Sequence, residues 1–522
     1  MNNAKQSNQV YKGAFTLLLA GILSKVISAF YRIPLQNLTG DIGFYIYQQV
    51  YPILGIAFMF ALYGFPAAIS KFLAENDKEQ NNKTIYVQIF TVMMSFAILL
   101  FLAVFLLSPI LARGMGDSLL ADPLRHVSWV FLFIPFVAIL RGITQSNQWM
   151  EPTAYSQMIE QLLRATIIIF TAILIYKGHL HVYQIADGAM IASMMALSIS
   201  FIFLYLYAKK NRPLDNNYSS RKFPVIYLLS PILVAGLIIS MNHMLLLLMQ
   251  LADAFTMVPG LLKNGDTLRE ATATKGIFDR GQPLLQLVTV VGSSFALALA
   301  PQVTKLNWQM SREDTMENLR LTTKYCLLLS VGATVGLITL FPEVNQLLFQ
   351  NQLGTFSLRI LTTSLIFTSL AVTIASILQG FGYMKWTAVI LFLGLSIKMV
   401  LNYILIPFLG MNGAAIATVS TVIVIFIANY LLLRHVLRGD RLFVIPWMKL
   451  TIASLVMAVV LGILKQITFY FITFENRFFL FLFVMGSVIF GFIAYAIVVV
   501  KWRILTSKEL APFSLLNRWK KG

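Results

Sequence analysis

GAFTLLLAGILSKVISAFYR, residues 13–32, is an apolar run of helical length with a lysine, Lys25, near its middle and an arginine, Arg32, at its end. In a helix rising about 1.5 Å per residue, a side chain about twelve residues in stands some ~18 Å deep, close to the centre of a ~30 Å hydrocarbon core. An ammonium there costs roughly 2.5–3.5 kcal/mol on insertion scales, so it faces a protein interior or a wet cavity rather than lipid. Arg32 follows seven positions later on the same face. The run predicts a membrane helix that turns two cations inward, and the rest of the chain is read as the walls around them.

Composition agrees. Of the 522 residues, 58% are hydrophobic and only 12% charged, at a mean hydropathy of +0.77. Soluble domains carry about a quarter charged residues, so this is a polytopic membrane protein. The net charge of +19 is therefore assigned to the positive-inside rule rather than to nucleic acid. The single cysteine, Cys326, lies in an apolar run and implies no disulfide. No small-residue cleavage site follows the first run, which reads as an uncleaved start-transfer helix.

Apolar runs long enough to span occur at 13–31, 44–70, 85–111, 126–147, 155–176, 183–207, 225–252, 283–304, 321–341, 358–380, 386–407, 412–433, 446–470 and 478–500, fourteen in all. An even number puts both termini on one side. Basic residues collect on that side, at Lys71, Lys78 and Lys83, at Lys209 to Lys222, at Lys305, Arg312 and Arg320, at Arg434 to Lys449, and in the tail from Lys501. Both termini are thereby predicted cytoplasmic.

The polar linker 208–224 marks a lobe boundary, and an internal repeat supports it. Gln145, Met150, Thr153 and Ala154 recur with identical spacing as Gln379, Met384, Thr387 and Ala388, and DGAMIAS (187–193) recurs as NGAAIAT (412–418). Each repeat lies six helices on, so the halves keep one orientation and are related by an axis along the membrane normal. The expected architecture is all-α: lobes at 1–215 and 216–440 in pseudo-twofold relation, and an appended helix pair with a basic tail at 441–522. The long connection 253–282 is expected as a structured outer loop.

No enzyme constellation, phosphate-cradling glycine loop or metal-ligand cluster is evident, and no cofactor is implied. The intramembrane charges carry the information. Lys25 favours a cavity. Arg32 reads as a cavity residue or an outer anchor. Lys398, about thirteen residues into the eleventh run, reads equally as a cavity cation or a packed one. Glu160 and Arg164, spaced i, i+4, read first as a self-neutralising pair. Arg280 reads as an interfacial anchor or a ligand, and Lys465 as a side chain reaching the outer interface. Deep cations without acids of matching depth favour an anionic substrate over a cationic drug.

The residues resemble the multidrug/oligosaccharidyl-lipid/polysaccharide superfamily, and within it the MurJ-type lipid II flippases with their sporulation-protein relatives. The resemblance rests on SKVISAFYR (24–32) with FPAAISKFLAE (65–75), on EPTAYSQMIEQLLRA (151–165), and most specifically on KGIFDRGQPLLQLVTVV (275–291). It implies a monomeric alternating-access flippase for undecaprenyl-diphosphate-linked peptidoglycan precursor, acting beside cell-wall synthesis enzymes. It also implies a diphosphate held by Lys25, Arg32 and Arg280, and a lipid-tail groove at the last two helices. Departures are a lysine where the first basic position is usually arginine, no arginine in 44–70, and Asp41 displaced from the family's acidic position. A flippase for another lipid-linked glycan, a cation-coupled drug antiporter and a membrane scaffold stand as alternatives.

Overall fold

The computed structural model describes residues 16–17, 19–76, 83–211, 224–299, 311–471, 476–505 and 509. The linker 212–223, Lys78, Lys305 and most of the basic tail lie outside the described residues. Among the described residues the regular elements are helices, and twelve are long and apolar enough to cross a membrane. The protein is a multi-pass, all-helical membrane protein.

Glycine marks two breaks in long helical stretches. Within the 57-residue stretch Leu19–Glu75, Gly40 adopts φ 70°, and Gly410 at φ 54° interrupts Met384–Val436. A side chain disfavours positive φ, so glycine is where such a helix can turn. The chain divides into two compact units, one comprising 1–283 and 384–417, the other 284–383 and 418–522.

In the first unit the helix Arg32–Met59 runs into a π-helical turn, Phe60–Gly64, and then Phe65–Glu75. Glycines let its neighbours approach closely: a Cβ on Gly55 would overlap Leu247, on Gly64 Ser240, and on Gly236 Phe65. The seventh apolar run departs from its expected bounds. Ala235–Asn242 ends at His243, and a second helix, Leu245–Asn264, carries the chain onward. Asp253, expected in the outer loop, stands in the middle of that helix at 1% exposure. Hydropathy ended the run too early because Asp253 is neutralised by partners distant in sequence.

The connection that follows is built from local signals. Gly265, at φ 108°, terminates Leu245–Asn264. Two residues later Thr267 and Glu270 form a capping box, with the Thr267 amide donating to Glu270 at 2.9 Å and the Glu270 amide to the Thr267 hydroxyl at 3.4 Å. These bonds hold the Glu270 carboxyl below the ordinary carboxylate range. They start the helix Leu268–Asp279, which carries Lys275 and Asp279 and ends at Arg280.

In the second unit Arg312–Thr339, Ser364–Gly380, Trp447–Phe471 and Arg477–Lys501 enclose an apolar core that includes Leu327, Leu328, Leu370, Met457, Leu461 and Val499. Tyr495 donates across this core to the Leu328 carbonyl at 3.0 Å. Lys465 does not stand alone at an interface; its ammonium lies 2.5 Å from Glu343. Lys324 pairs with Glu509 at 2.8 Å beyond the last helix.

Candidate functional site

The first unit gathers a cationic site around the Gly40 break. The helix through Lys25 continues without interruption into Arg32, since Tyr31 keeps helical dihedrals and its carbonyl accepts from the Leu35 amide at 3.1 Å. Arg32 is fully buried, and all three guanidinium nitrogens lack a hydrogen-bond partner. Its planar group lies 4.1 Å over the ring of Tyr51. That ring packs 5.8 Å from Tyr47, whose hydroxyl is hydrogen-bonded to that of Tyr31. A cation–π contact supplies about 0.5–2 kcal/mol, against several kcal/mol for desolvating an unpaired guanidinium. Arg32 is therefore stored at a cost, and an incoming anion would relieve it.

Lys25 is half-buried and among the described residues has neither an ion-pair nor a hydrogen-bond partner.

Arg280 differs. It is fully buried and bonded to Asp41, which also accepts from Gln36 Nε2 at 3.0 Å. Asp41 is thus the acid that the sequence left without a place. It reaches Arg280 because Gly40 turns the chain and because Gly276 has no side chain, a Cβ there overlapping the Asp41 carbonyl. Arg280 is no interfacial anchor. Beside it Lys275 grips Asp279 at 2.5 and 2.6 Å, both nearly fully buried. An i, i+4 lysine–aspartate pair on one helix was a legible signal that the sequence reading did not use.

Lys398 is buried with its ammonium 2.8 Å from Asp253 and 3.1 Å from the Ala414 carbonyl. Asn402 donates to the same carboxylate at 2.8 Å and to Thr256 Oγ1 at 2.7 Å. The expectation of deep cations without matching acids fails here, since Asp253 lies at the depth of Lys398. No local pattern could have signalled a pair this distant in sequence.

Glu160 and Arg164 are not a simple self-neutralising pair. They stand 3.8 Å apart, and the closer partner of Glu160 is Arg141, at 2.6 Å. Arg141 also donates to Ser156 Oγ at 2.9 Å and to the Ala61 carbonyl at 3.2 Å, inside the π-helical turn. A π turn leaves carbonyls short of helical partners, and the guanidinium fills that need. Arg164 stacks 3.4 Å over Phe58. Arg141 is satisfied here and reads as scaffold, whereas Arg164 has its Nε buried without a hydrogen-bond partner. Among the described residues the candidate ligand-facing cations are Lys25 and Arg32, with Arg280 paired to Asp41.

The family model described as polysaccharide biosynthesis protein matches residues 10–307, more than half of the chain. The chain belongs to the polysaccharide biosynthesis protein family. Within reach of this family assignment lie an uncharacterized membrane protein of Bacillus subtilis, YabM, 39% identical over 79% of this chain and 77% of that protein, and the lipid II flippase MurJ of the same organism, 24% identical over 90% and 91%. Among solved structures, the inward closed conformation of a lipid II flippase MurJ superposes with a TM-score of 0.69 at 15% identity, covering 93% of this chain and 98% of that one. An inward-facing multidrug transporter of the MATE family and MOP superfamily gives 0.62 at 19% identity over 82% and 98%. The chain thus shares the helical fold of these solved structures.

Proposed function

We propose that this protein is a flippase that carries an undecaprenyl-diphosphate-linked glycan, the peptidoglycan precursor lipid II, from the inner to the outer leaflet of the bacterial cell membrane. Lys25, Arg32 and Arg280 hold the diphosphate. One observation carries the reading: Arg32 is buried with every guanidinium nitrogen unpartnered, on the helix of an equally unpaired Lys25. Two cations kept without counterions inside a transporter fold suit a substrate that brings its own negative charge.

In this reading fourteen helices place both termini in the cytoplasm. The repeat halves 1–215 and 216–440 rock about the site, and 441–522 accommodates the lipid tail. The protein acts as a monomer, and its transport needs no bond-making step. Arg32 is uncovered as access alternates, and the diphosphate completes its missing hydrogen bonds. Asp41 holds Arg280 in position until the ligand competes for the guanidinium fork. Two negative charges moving outward against a negative-inside potential gain roughly 2.3 kcal/mol each per 100 mV.

A second reading, a flippase for a teichoic-acid, capsule or spore-cortex precursor, uses the same diphosphate and the same residues. A cation-coupled drug antiporter is disfavoured by the unpaired cations. The test is depletion of this protein together with redundant flippases, followed by labelling of lipid II at the outer surface. Loss of labelling, restored by wild type but not by a Lys25→Gln, Arg32→Gln, Arg280→Gln variant, supports substrate and site together. Unchanged labelling overturns the lipid II assignment.

A further inference from the structure

Arg32 is short of acceptors, and the amides near it are short of donors. Gln36, Gln48, Gln49 and Gln250 are each at most 8% exposed, and among the described residues the Oε1 of each is buried without a hydrogen-bond partner. A closed circuit of contacts within the first unit joins these four amides to Arg32 and Arg280. Gln36 stands one helical turn beyond Arg32, and its Nε2 donates at 3.0 Å to Asp41, the carboxylate paired with Arg280. Two residues past Arg280, Gln282 Oε1 accepts from Gln250 Nε2 at 3.1 Å. One turn past Gln250 on the helix Leu245–Asn264, the Ala254 carbonyl accepts from Gln49 Nε2 at 3.1 Å. Gln48 precedes Gln49 and lies one turn before Tyr51, whose ring sits 4.1 Å beneath the Arg32 guanidinium. The circuit thus returns to the residue from which it began.

Burying an amide oxygen without a donor costs free energy, so four of them on one circuit describe a place made for donors rather than for packing. Carbonyl oxygens alone would also suit a metal cation. The Arg32 guanidinium, itself without an acceptor, opposes one here. The ligand that satisfies both halves is an anion with O–H and N–H donors directly beside it. A sugar linked through a diphosphate has that chemistry, with phosphate oxygens for the arginines and ring hydroxyls or acylamino N–H groups for the glutamines. We propose that Gln36, Gln48, Gln49 and Gln250 form a collar that reads the sugar next to the diphosphate, so that the protein selects a glycosylated lipid carrier over the bare lipid diphosphate. The collar rests on the flippase reading and leaves its diphosphate site as it stands. It adds a selectivity that cations do not supply: they hold any diphosphate, whereas buried acceptors left empty reject one that lacks the sugar.

The test is equilibrium binding to the full-length protein in nanodiscs of two probes built on one short polyprenyl chain, the first ending in a diphosphate and the second carrying an N-acetylhexosamine through it. Wild type is expected to bind the glycosylated probe about a hundred-fold more tightly. Gln48→Met and Gln250→Met, similar in volume but without the acceptor, each weaken that probe about ten-fold and leave binding of the bare diphosphate unchanged. Gln48→Met removes a buried oxygen that has no donor in the ligand-free protein, so its melting temperature holds. Arg32→Gln weakens both probes alike.

Equal wild-type affinity for the two probes overturns the collar, as does a selectivity that survives both glutamine variants or a loss that falls equally on both probes. If Arg32→Gln still weakens both probes in any of these cases, the diphosphate reading stands without the collar. If Arg32→Gln changes neither, that reading falls with it.

Discussion

At the residue scale, the decisive contrast is between buried charges that are satisfied and those that are not. Arg141 has Glu160, Ser156 and the Ala61 carbonyl, whereas no guanidinium nitrogen of Arg32 has a hydrogen-bond partner and its plane lies over Tyr51. Opposite mutational signs follow. Glu160→Gln strips a buried arginine of its counterion and should cost about 3–5 kcal/mol, read as a lower melting temperature and poor yield. Arg32→Gln removes an uncompensated buried charge. It should leave the ligand-free protein as stable as wild type or more so, while transport is lost. Thermal melting with a parallel transport assay checks both. A melting temperature that falls as far in Arg32→Gln as in Glu160→Gln would show that Arg32 is scaffold. Arg32→Lys should not restore transport, because an ammonium cannot reproduce the planar fork over Tyr51.

The same contrast sets what could be read from residues alone. Lys25 and Arg32 announce themselves through their place in an apolar run. Asp41 and Asp253 do not, because their value lies in partners far along the chain, Arg280 and Lys398.

At the element scale, the short helix Leu268–Asp279 is the device that presents Lys275, Asp279 and Arg280. Gly276→Ala should drive this helix off Asp41, because a Cβ would overlap the Asp41 carbonyl. The expected outcome is a transport defect as severe as that of Arg280→Gln, with faster amide exchange in 268–279. Normal transport in Gly276→Ala would contradict the placement of Arg280. The capping box adds a pH dependence. Glu270's carboxyl is held below its ordinary value by Thr267, so its capping contribution is complete at neutral pH and is lost as pH falls through the lowered value. Amide protection in the first turn of 268–279, taken relative to the intrinsic exchange rate at each pH, should fall at acid pH in wild type and be low at all pH in Thr267→Ala. The connection was readable as structured, but the TxxE pattern and Gly265, which mark where this helix begins, were signals that the sequence analysis did not use. Its burial was not readable, because that depends on Gly276 meeting Asp41 in space.

At the scale of the whole molecule, the composition and the run lengths were enough for a multi-pass helical protein, and the family and fold comparisons agree. Lengths were less legible than existence. The seventh run was cut at 252 although its second helix continues to Asn264, since a buried aspartate looks like a loop to hydropathy. The break at His243 was likewise invisible, lying within an unbroken apolar stretch. Ligand linkage gives a further expectation. A lipid diphosphate at about a hundred times its Kd should stabilise the folded protein by about 2.7 kcal/mol. The rise in melting temperature should vanish in the Arg32→Gln, Arg280→Gln variant, and a rise that persists there would place the ligand elsewhere.

The most direct measurement is transbilayer movement in vesicles holding the purified protein and a fluorescent undecaprenyl-diphosphate disaccharide, scored by the fraction of probe that an impermeant quencher reaches over time. Wild-type vesicles under an inside-negative potential should expose the inner-leaflet probe with time, while the Lys25→Gln, Arg32→Gln, Arg280→Gln vesicles retain it as empty vesicles do. Equal exposure in all three preparations would contradict a flippase that holds its substrate by these cations.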